Sequence, residues 1–276
     1  MYYEIHDDGQ GNKETVILSS GLGGSHSYWH HQLPQLKSRF RVIVYDHLGT
    51  GQSQGDIPQG YSIADMAKEV VTLLDQTDSE RVHFIGHALG GLVGLQLAAE
   101  FPNRVSSLLL INAWDKTDEH TKLCFEIRKS LLRNSGVEMF FKAQPLFLYP
   151  AEWMKNHAAL LKEEADKVLS SPFNQDNLLS RIAAVESFDI SENIDSIRCV
   201  TGVIASCDDL LVSSRRHLLP SVVPLRTQRA TFTALGSSLH EGTDWHPATY
   251  KAARAGSYQE LRHCLFDFLF AKYSWY

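Results

Sequence analysis

Short apolar runs alternate with amphipathic helical patterns along the first part of the chain. Each run is mostly apolar, and the first is apolar from Val16 to Leu18, which is typical of strands buried on both faces of a parallel sheet. The runs occupy residues 15–18, 41–45, 82–85 and 105–111. Between the second and third runs, apolar residues recur at helical spacing after Ser62 and Asp65, which form a near capping box. The alternation predicts an α/β fold with a mostly parallel sheet and right-handed crossovers.

The alternation stops after Asn112. From residue 114 to about residue 194 the pattern is helical, rich in charge and broken by prolines, and it predicts no strand. Two later strands and an amphipathic terminal helix are predicted at residues 199–205, 228–233 and 258–273. We therefore expect a single domain over residues 1–276, with a helical cap inserted at about 114–194.

The segment from Gly86 to Gly90 joins a predicted strand to a helical pattern that begins at Leu92. A strand, a glycine-flanked turn and a helix are the context of the nucleophile elbow, G-x-S-x-G, of α/β-hydrolases. The glycines are needed because the central residue adopts strained backbone geometry while strand and helix approach closely. Here the central residue is Ala88, which has no hydroxyl group. The sequence therefore predicts the α/β-hydrolase fold and excludes an acyl-enzyme at this position.

Two glycine-rich loops follow the first two buried strands. The loop at residues 19–25 can bring the backbone N–H of Leu22 close to that of Leu89, so that both bind an oxyanion. The loop at residues 46–53 is close to the D-x-x-G-x-G-x-S turn of α/β-hydrolases. We expect Asp46 and Ser53 to hold this second loop by hydrogen bonds and to take no part in catalysis.

An acid and a histidine are expected near the elbow. In this fold the acid follows the next-to-last strand and the histidine follows the last one. Asp209 and His240 occupy those places in the sequence, with Asp208 and His246 as the alternatives. A site with these groups and an oxyanion hole can activate water directly. That chemistry would suffice for a substrate that already hydrolyses readily, but not for a stable amide.

Composition narrows the partners and the compartment. The net charge is −6 without a dense run of Lys or Arg, which argues against nucleic acid or an anionic membrane as a partner. No apolar run approaches about 18 residues, and the N-terminus lacks the pattern of a signal peptide. The four cysteines are scattered, and neither H-E-x-x-H nor a paired Cys/His spacing predicts a metal site. We expect a cytoplasmic monomer or homodimer that acts on a small molecule without a metal or cofactor.

Several motifs resemble those of the RutD family, the carbamate and aminoacrylate hydrolases of the Rut pathway. The Gly-His-Ala-Leu-Gly elbow is one of them, and the matching segments are residues 20–25, 45–46, 49–51, 86–98, 143–154 and 208–212. The resemblance implies hydrolysis of carbamate, or of 3-aminoacrylate to malonic semialdehyde and ammonia, in pyrimidine (uracil) degradation. It fades from Ser213 onward. The family carries Gly-Gly-His-Ala after the last strand, where this chain has Gly-Ser-Ser-Leu followed by His240.

The predicted cap holds candidate substrate contacts. Arg128 can bind both oxygens of a substrate carboxylate through its planar guanidinium. The other polar or aromatic candidates, each of which could instead belong to the cap core or to a helix surface, are Trp114, His120, Gln144, Tyr149 and Trp153. Two other interpretations stay open. An ordinary esterase would need a nucleophile elsewhere in the chain, and a catalytically inactive α/β-hydrolase shell would serve as a ligand-binding protein.

Overall fold

A computed structural model describes residues 1–9, 13–169, 173–206, 211 and 228–232 of the chain. The strands in these ranges are β1 (Tyr3–His6), β2 (Thr15–Ser19), β3 (Arg41–Tyr45), β4 (Val82–His87), β5 (Val105–Ile111), β6 (Val200–Ser206) and β7 (Gln228–Phe232). They form one sheet in the order β1-β3-β2-β4-β5-β6-β7. Only β1 is antiparallel to its neighbour, so the mostly parallel sheet predicted from the apolar runs is confirmed.

Helices on both sides of the sheet cover its two faces. Those that precede β5 are α1 (Leu33–Leu36), α2 (Ile63–Gln76) and α3 (Leu89–Glu100). The predicted capping box starts α2: the side chain of Ser62 accepts from the N–H of Asp65, and the Asp65 carboxylate accepts from the N–H of Ser62. Helix α3 begins at Leu89, three residues before its predicted start, because strand β4 passes into it with only Ala88 between them.

Two apolar clusters lie on opposite faces of the sheet, because alternate residues of a strand point to opposite sides. One cluster joins strand residues such as Ile17 and Phe84 to α2 and α3. The other joins their neighbours in the chain, Val16 and Ile85, to Trp29 and Phe40. The elbow is therefore built into a sheet that is buried from both sides.

In the described residues between β5 and β6 there are five α-helices: α4 (Glu119–Ala143), α5 (Pro145–Leu148), α6 (Ala151–Asn156), α7 (Ala158–Leu169) and α8 (Gln175–Glu186). Helix α4 is broken at Gly136, whose backbone angles of φ 82° and ψ 174° are not helical. It is capped at its start by the carboxylate of Asp118, which accepts from the N–H of Thr121. We call residues 119–186 the helical segment. No helix in the described ranges is both long enough and apolar enough to span a membrane.

Candidate functional site

Ala88 occupies the sharp turn between β4 and α3. Its backbone angles are φ 48° and ψ −115°, a positive φ that an L-residue rarely adopts. The N–H of Ala88 donates to the carbonyl of Ile111 at 2.8 Å, and the Ala88 carbonyl accepts from the N–H of Gly91 at 2.8 Å. Bonds on both sides of the residue therefore hold the strained conformation in place.

The two glycines of the elbow are fixed by close packing. A Cβ atom on Gly86 would overlap the backbone of Gly90, and one on Gly90 would overlap the carbonyl of Ser19 at the end of β2. Helix α3 can therefore approach β2 and β4 only if both positions lack a side chain. The elbow has the backbone geometry that its glycine spacing predicted, with a methyl group where the nucleophile would be.

The loop that follows β2 lies against this elbow. A Cβ atom on Gly21 would be 3.5 Å from the Cβ of Ala88 and 3.1 Å from Nδ1 of His87. The N–H of Gly24 donates to the carbonyl of Gly21 at 3.0 Å, which closes a tight turn around Leu22. The backbone at Leu22 and the start of α3 at Leu89 are thus neighbours of Ala88. The first N–H groups of a helix have no acceptor within the helix and carry a partial positive charge, which suits an anion.

The ring of His87, the residue before Ala88, stacks on the ring of Tyr28, with the centroids 5.1 Å apart and the planes 19° from parallel.

A buried histidine donates a hydrogen bond to the loop at residues 19–25, which we call the Leu22 loop. His47 is 2% exposed, and its Nε2 lies 3.2 Å from the carbonyl of Ser20. A carbonyl only accepts, so Nε2 carries the proton and donates. Burial, with Arg181 nearby, lowers the pKa of His47 to about 3, and the ring is therefore neutral at pH 7. Sequence reasoning missed this residue, although its place directly after Asp46 could have drawn attention to it.

The turn after β3 is held as its sequence predicted. The carboxylate of Asp46 is fully buried and accepts from the backbone N–H groups of His26, at 2.6 Å, and Gln52, at 2.8 Å. The hydroxyl of Ser53 donates to the carbonyl of Asp46 at 2.7 Å. These bonds engage Asp46 and Ser53 in the turn itself, which agrees with a structural role.

A cavity of about 1100 Å³ opens between the Leu22 loop and the helical segment. Among its lining residues are Leu22, Thr50, Arg128, Gln144, Tyr149 and Arg181. The cavity thus has a backbone amide loop on one side and polar side chains of the helical segment on another.

Arg128 is the most unusual of these lining residues. It is 3% exposed, and its guanidinium carbon lies 5.1 Å from the ring centre of Phe125, 5.4 Å from that of Phe140 and 5.9 Å from that of Phe147. Burial lowers its pKa to about 10. Its Nε has no hydrogen-bond partner in the described part of the chain, and the same holds for the buried Oε1 of Gln144.

The other cap candidates have different surroundings. Tyr149 lines the cavity and stacks on Trp153, which stacks in turn on His157. Trp114 is buried in the core and donates from Nε1 to the hydroxyl of Thr117 at 3.1 Å, and His120 is exposed on the first turn of α4. Neither Trp114 nor His120 is among the residues that line the cavity.

The predicted acid and histidine, Asp209 and His240, lie outside the described residues, as do the alternatives Asp208 and His246. One described residue lies close to the acid in sequence: the carbonyl of Leu211 accepts from the hydroxyl of Thr121 at 2.9 Å. The chain after β6 is therefore tied to the first turn of α4. The described ranges hold no cluster of three His, Cys, Asp or Glu side chains suited to a metal ion.

Comparison with known proteins agrees with this geometry. Residues 14–132 match the family model of the α/β hydrolase fold. A Pantoea ananatis protein, provisionally named carbamate hydrolase RutD, is 44% identical over 212 residues, which is 77% of each chain. A Pseudomonas syringae pv. syringae protein with the same provisional name is 46% identical over 220 residues, which cover 79% of this chain and 85% of the relative.

Solved structures show the same fold. A hydrolase from Pseudomonas aeruginosa superposes with a TM-score of 0.74 at 25% identity, covering 83% of this chain and 84% of that one. The enol-lactonase from Burkholderia xenovorans superposes with a TM-score of 0.75 at 24% identity, covering 84% and 87%. The sheet order, the elbow and these likenesses confirm the predicted α/β-hydrolase fold, and the chain belongs to the RutD family of α/β-hydrolases.

Proposed function

We propose that this protein hydrolyses a small, labile C–N compound, either carbamate or 3-aminoacrylate, and releases ammonia in cytoplasmic pyrimidine degradation. The observation that carries the proposal is the elbow: its strained backbone is kept around Ala88, which cannot act as a nucleophile. The provisional names of the relatives support the substrate class. The strained backbone at Ala88 lowers the stability of the folded protein by about 1–3 kcal/mol. Since no hydroxyl group is held there, we expect the turn to be kept for the N–H groups that it positions.

Water takes the place of the nucleophile in this mechanism. With carbamate, water adds to the carbonyl carbon, the C–N bond breaks, and the products are bicarbonate and ammonia. With 3-aminoacrylate, protonation of C2 gives an imine, water adds at C3, and loss of ammonia leaves malonic semialdehyde. With carbamate, the negative charge that develops on the carbonyl oxygen would be bound by the N–H groups of Leu22 and Leu89. Oxyanion stabilisation and binding together give about 10³–10⁴-fold over water without a complete triad.

The base that activates this water is proposed to be His240, oriented by Asp209. Support comes from the bond between Thr121 and the Leu211 carbonyl, which fixes the chain two residues beyond Asp209 against the helical segment. A histidine is suited to the role because it can accept a proton near neutral pH and return it to the leaving ammonia.

The test is ammonia release from freshly generated 3-aminoacrylate and from carbamate, measured against the buffer rate. Wild type is compared with His240→Ala, His246→Ala and Ala88→Ser, and His30→Ala is the control because His30 is exposed and lies outside the proposed site. We expect wild type and the control to exceed buffer and His240→Ala to be much slower than wild type, with only the residual rate that the oxyanion site and binding supply. A loss with His246→Ala alone would move the base to that residue.

A wild type that does not exceed buffer with either substrate would overturn the catalytic proposal. If it still bound small ligands in the cavity, the chain would be an α/β-hydrolase shell that acts as a ligand-binding protein. A wild type slower than Ala88→Ser would argue that the alanine is not adapted to attack by water.

A further inference from the structure

Four buried polar atoms on residues that line the cavity have no partner in the described chain: Thr50 Oγ1, Arg128 Nε, Gln144 Oε1 and Arg181 Nε. The Arg181 guanidinium is already engaged, because it donates to the carbonyl of Leu48. Arg128 is 3% exposed and its Nε is unpaired, and Oε1 of Gln144 is buried and unpaired. Both side chains line the same cavity, Arg128 from within α4 and Gln144 from the end of that helix. We propose that Arg128 and Gln144 recognise a small carboxylate that also carries an N–H group. The inference rests on the proposed function, since this would be the substrate site.

The carboxylate is inferred from the surroundings of the guanidinium. The rings of Phe125, Phe140 and Phe147 lie within 6 Å of it and stabilise its charge through cation–π contacts. Aromatic rings supply no in-plane acceptor for the N–H groups, and no ion pair joins Arg128 to a described carboxylate. A buried charge without a hydrogen-bonded counter-ion is unfavourable, so an anion from outside completes the site. A planar carboxylate fits the planar fork of donors better than a point charge does.

The N–H group is inferred from Gln144. A buried amide oxygen without a donor is costly, and a ligand that offers an N–H group satisfies it. The two side chains together present one cationic donor and one neutral acceptor. A neutral amide would leave Arg128 unpaired, and a carboxylate without an N–H group would leave Gln144 unpaired. The site therefore selects compounds that carry both groups, and it rejects each partial match by leaving a buried polar atom unsatisfied.

Three stable probes separate these contributions by isothermal titration calorimetry. Malonamate carries a carboxylate and an amide N–H group, monomethyl malonate carries only the carboxylate, and malonamide carries only N–H groups. We expect wild type to bind malonamate at least tenfold more tightly than either of the others. Arg128→Gln should weaken both carboxylates by at least tenfold, and Gln144→Leu should weaken the two probes that carry an N–H group, malonamate and malonamide, without changing the affinity for monomethyl malonate. Arg133→Gln is the matched control, because Arg133 is exposed on the same helix, and its affinities should equal those of wild type.

The melting temperature of the ligand-free protein tests whether Arg128 is present for binding or for packing. An unpaired buried charge lowers stability, so Arg128→Met should raise the melting temperature of the ligand-free protein. With malonamate present, the substitution should not raise it. A fall in the melting temperature together with loss of all three probes would assign Arg128 to packing and overturn the inference. Equal affinity of Arg128→Gln and wild type for malonamate would also overturn it.

The binding assay tests the recognition site and the ammonia assay tests the hydrolysis, so either proposal can be overturned without the other. If the three probes follow Arg128 and Gln144 as expected while no ammonia is released, the recognition site stands and the proposed hydrolysis does not. If ammonia is released while the probes bind without regard to Arg128 and Gln144, the hydrolysis stands and this recognition site does not.

Discussion

Ala88 shows how a single residue can be kept in an unfavourable conformation by its neighbours. Its positive φ is not relieved because Gly86 and Gly90 are clamped by the close approach of β2, β4 and α3. The cost belongs to the side chain, since a residue without a Cβ atom adopts such angles freely. The strain can therefore be measured by removing one methyl group.

Ala88→Gly is expected to raise the free energy of unfolding by about 1 kcal/mol, because relief of backbone strain outweighs the added flexibility of the unfolded chain. Urea denaturation checks this. The control is Ala98→Gly, in the interior of α3 with ordinary helical geometry. It should lower the free energy of unfolding by about 1 kcal/mol. The strain argument is wrong if the two variants change stability in the same direction.

At the scale of elements, α8 is held to the loop after β3 by two buried side chains, Asn177 and Arg181. Asn177 accepts from the N–H of Ile57 at 2.8 Å through Oδ1, and it donates to the carbonyl of Gly55 at 2.8 Å through Nδ2. Arg181, one turn later, donates to the carbonyl of Leu48. These bonds satisfy backbone groups of the loop where it packs beneath α8.

Asn177→Leu should lower the free energy of unfolding by about 2–3 kcal/mol, because it leaves a buried N–H and a buried carbonyl without partners. Chemical denaturation measures the change. Asn134→Leu serves as the control, since Asn134 is exposed on α4, and its effect should stay within about 0.5 kcal/mol. Equal losses in the two variants would show that the bonds of Asn177 contribute nothing specific.

The cap of α2 gives a smaller and more local effect. Ser62→Ala removes the acceptor for the N–H of Asp65 and should lower the free energy of unfolding by about 1 kcal/mol. Thermal denaturation is compared with that of Thr72→Ala, an exposed position in the middle of the same helix. That control should be neutral or slightly stabilising, because alanine has the higher helix propensity. A neutral result for Ser62→Ala would mean that packing alone fixes the start of α2.

Elements that depend on local patterns were predictable from the sequence, and those that depend on packing between distant residues were not. The bounds of β3 and β5 match the predicted runs because a short, mostly apolar run rich in branched residues favours a buried strand. The burial of Arg128 was not predictable: its neighbours in sequence are charged, as on an exposed helix. It is buried by three phenylalanines that only the turn at Gly136 and the start of α5 bring together. The places of Asp209 and His240 and the bounds of the cap stay predictions.

At the scale of the whole molecule, neutral histidines are buried at opposite ends of the sheet. His47 contacts the Leu22 loop through the carbonyl of Ser20. His83, on β4, bonds Ser107 on β5 at 2.8 Å, with Glu14 nearby. Burial lowers the pKa of both rings, to about 3 for His47, against the attraction of Asp46 and Glu14. Protonation of either ring would introduce a charge into the interior, so folding and protonation oppose each other.

Stability should therefore fall as the solution becomes acidic. The folded-state pKa of each ring lies below the value of about 6.5 in an unfolded chain, so their contribution is complete above pH 6.5 and is lost below it. For His47, whose folded-state pKa is about 3, the slope approaches about 1.4 kcal/mol per pH unit, and His83 adds a contribution of the same sign. Urea denaturation between pH 7.5 and 5.5 measures it, and His47→Gln, which keeps a donor for Ser20, should show a shallower fall. An equal fall in the two proteins would contradict the assignment to His47.

The elbow also bears on how this family can change its chemistry over time. Alanine and serine codons differ by one nucleotide, and the backbone that presents the residue at position 88 needs no rebuilding. If the proposed mechanism holds, a lineage that keeps this turn can exchange attack by water for attack by a side chain through one mutation, without rebuilding the backbone. Because the strained turn is retained with either residue at position 88, a change of nucleophile can be reversed by a single later substitution.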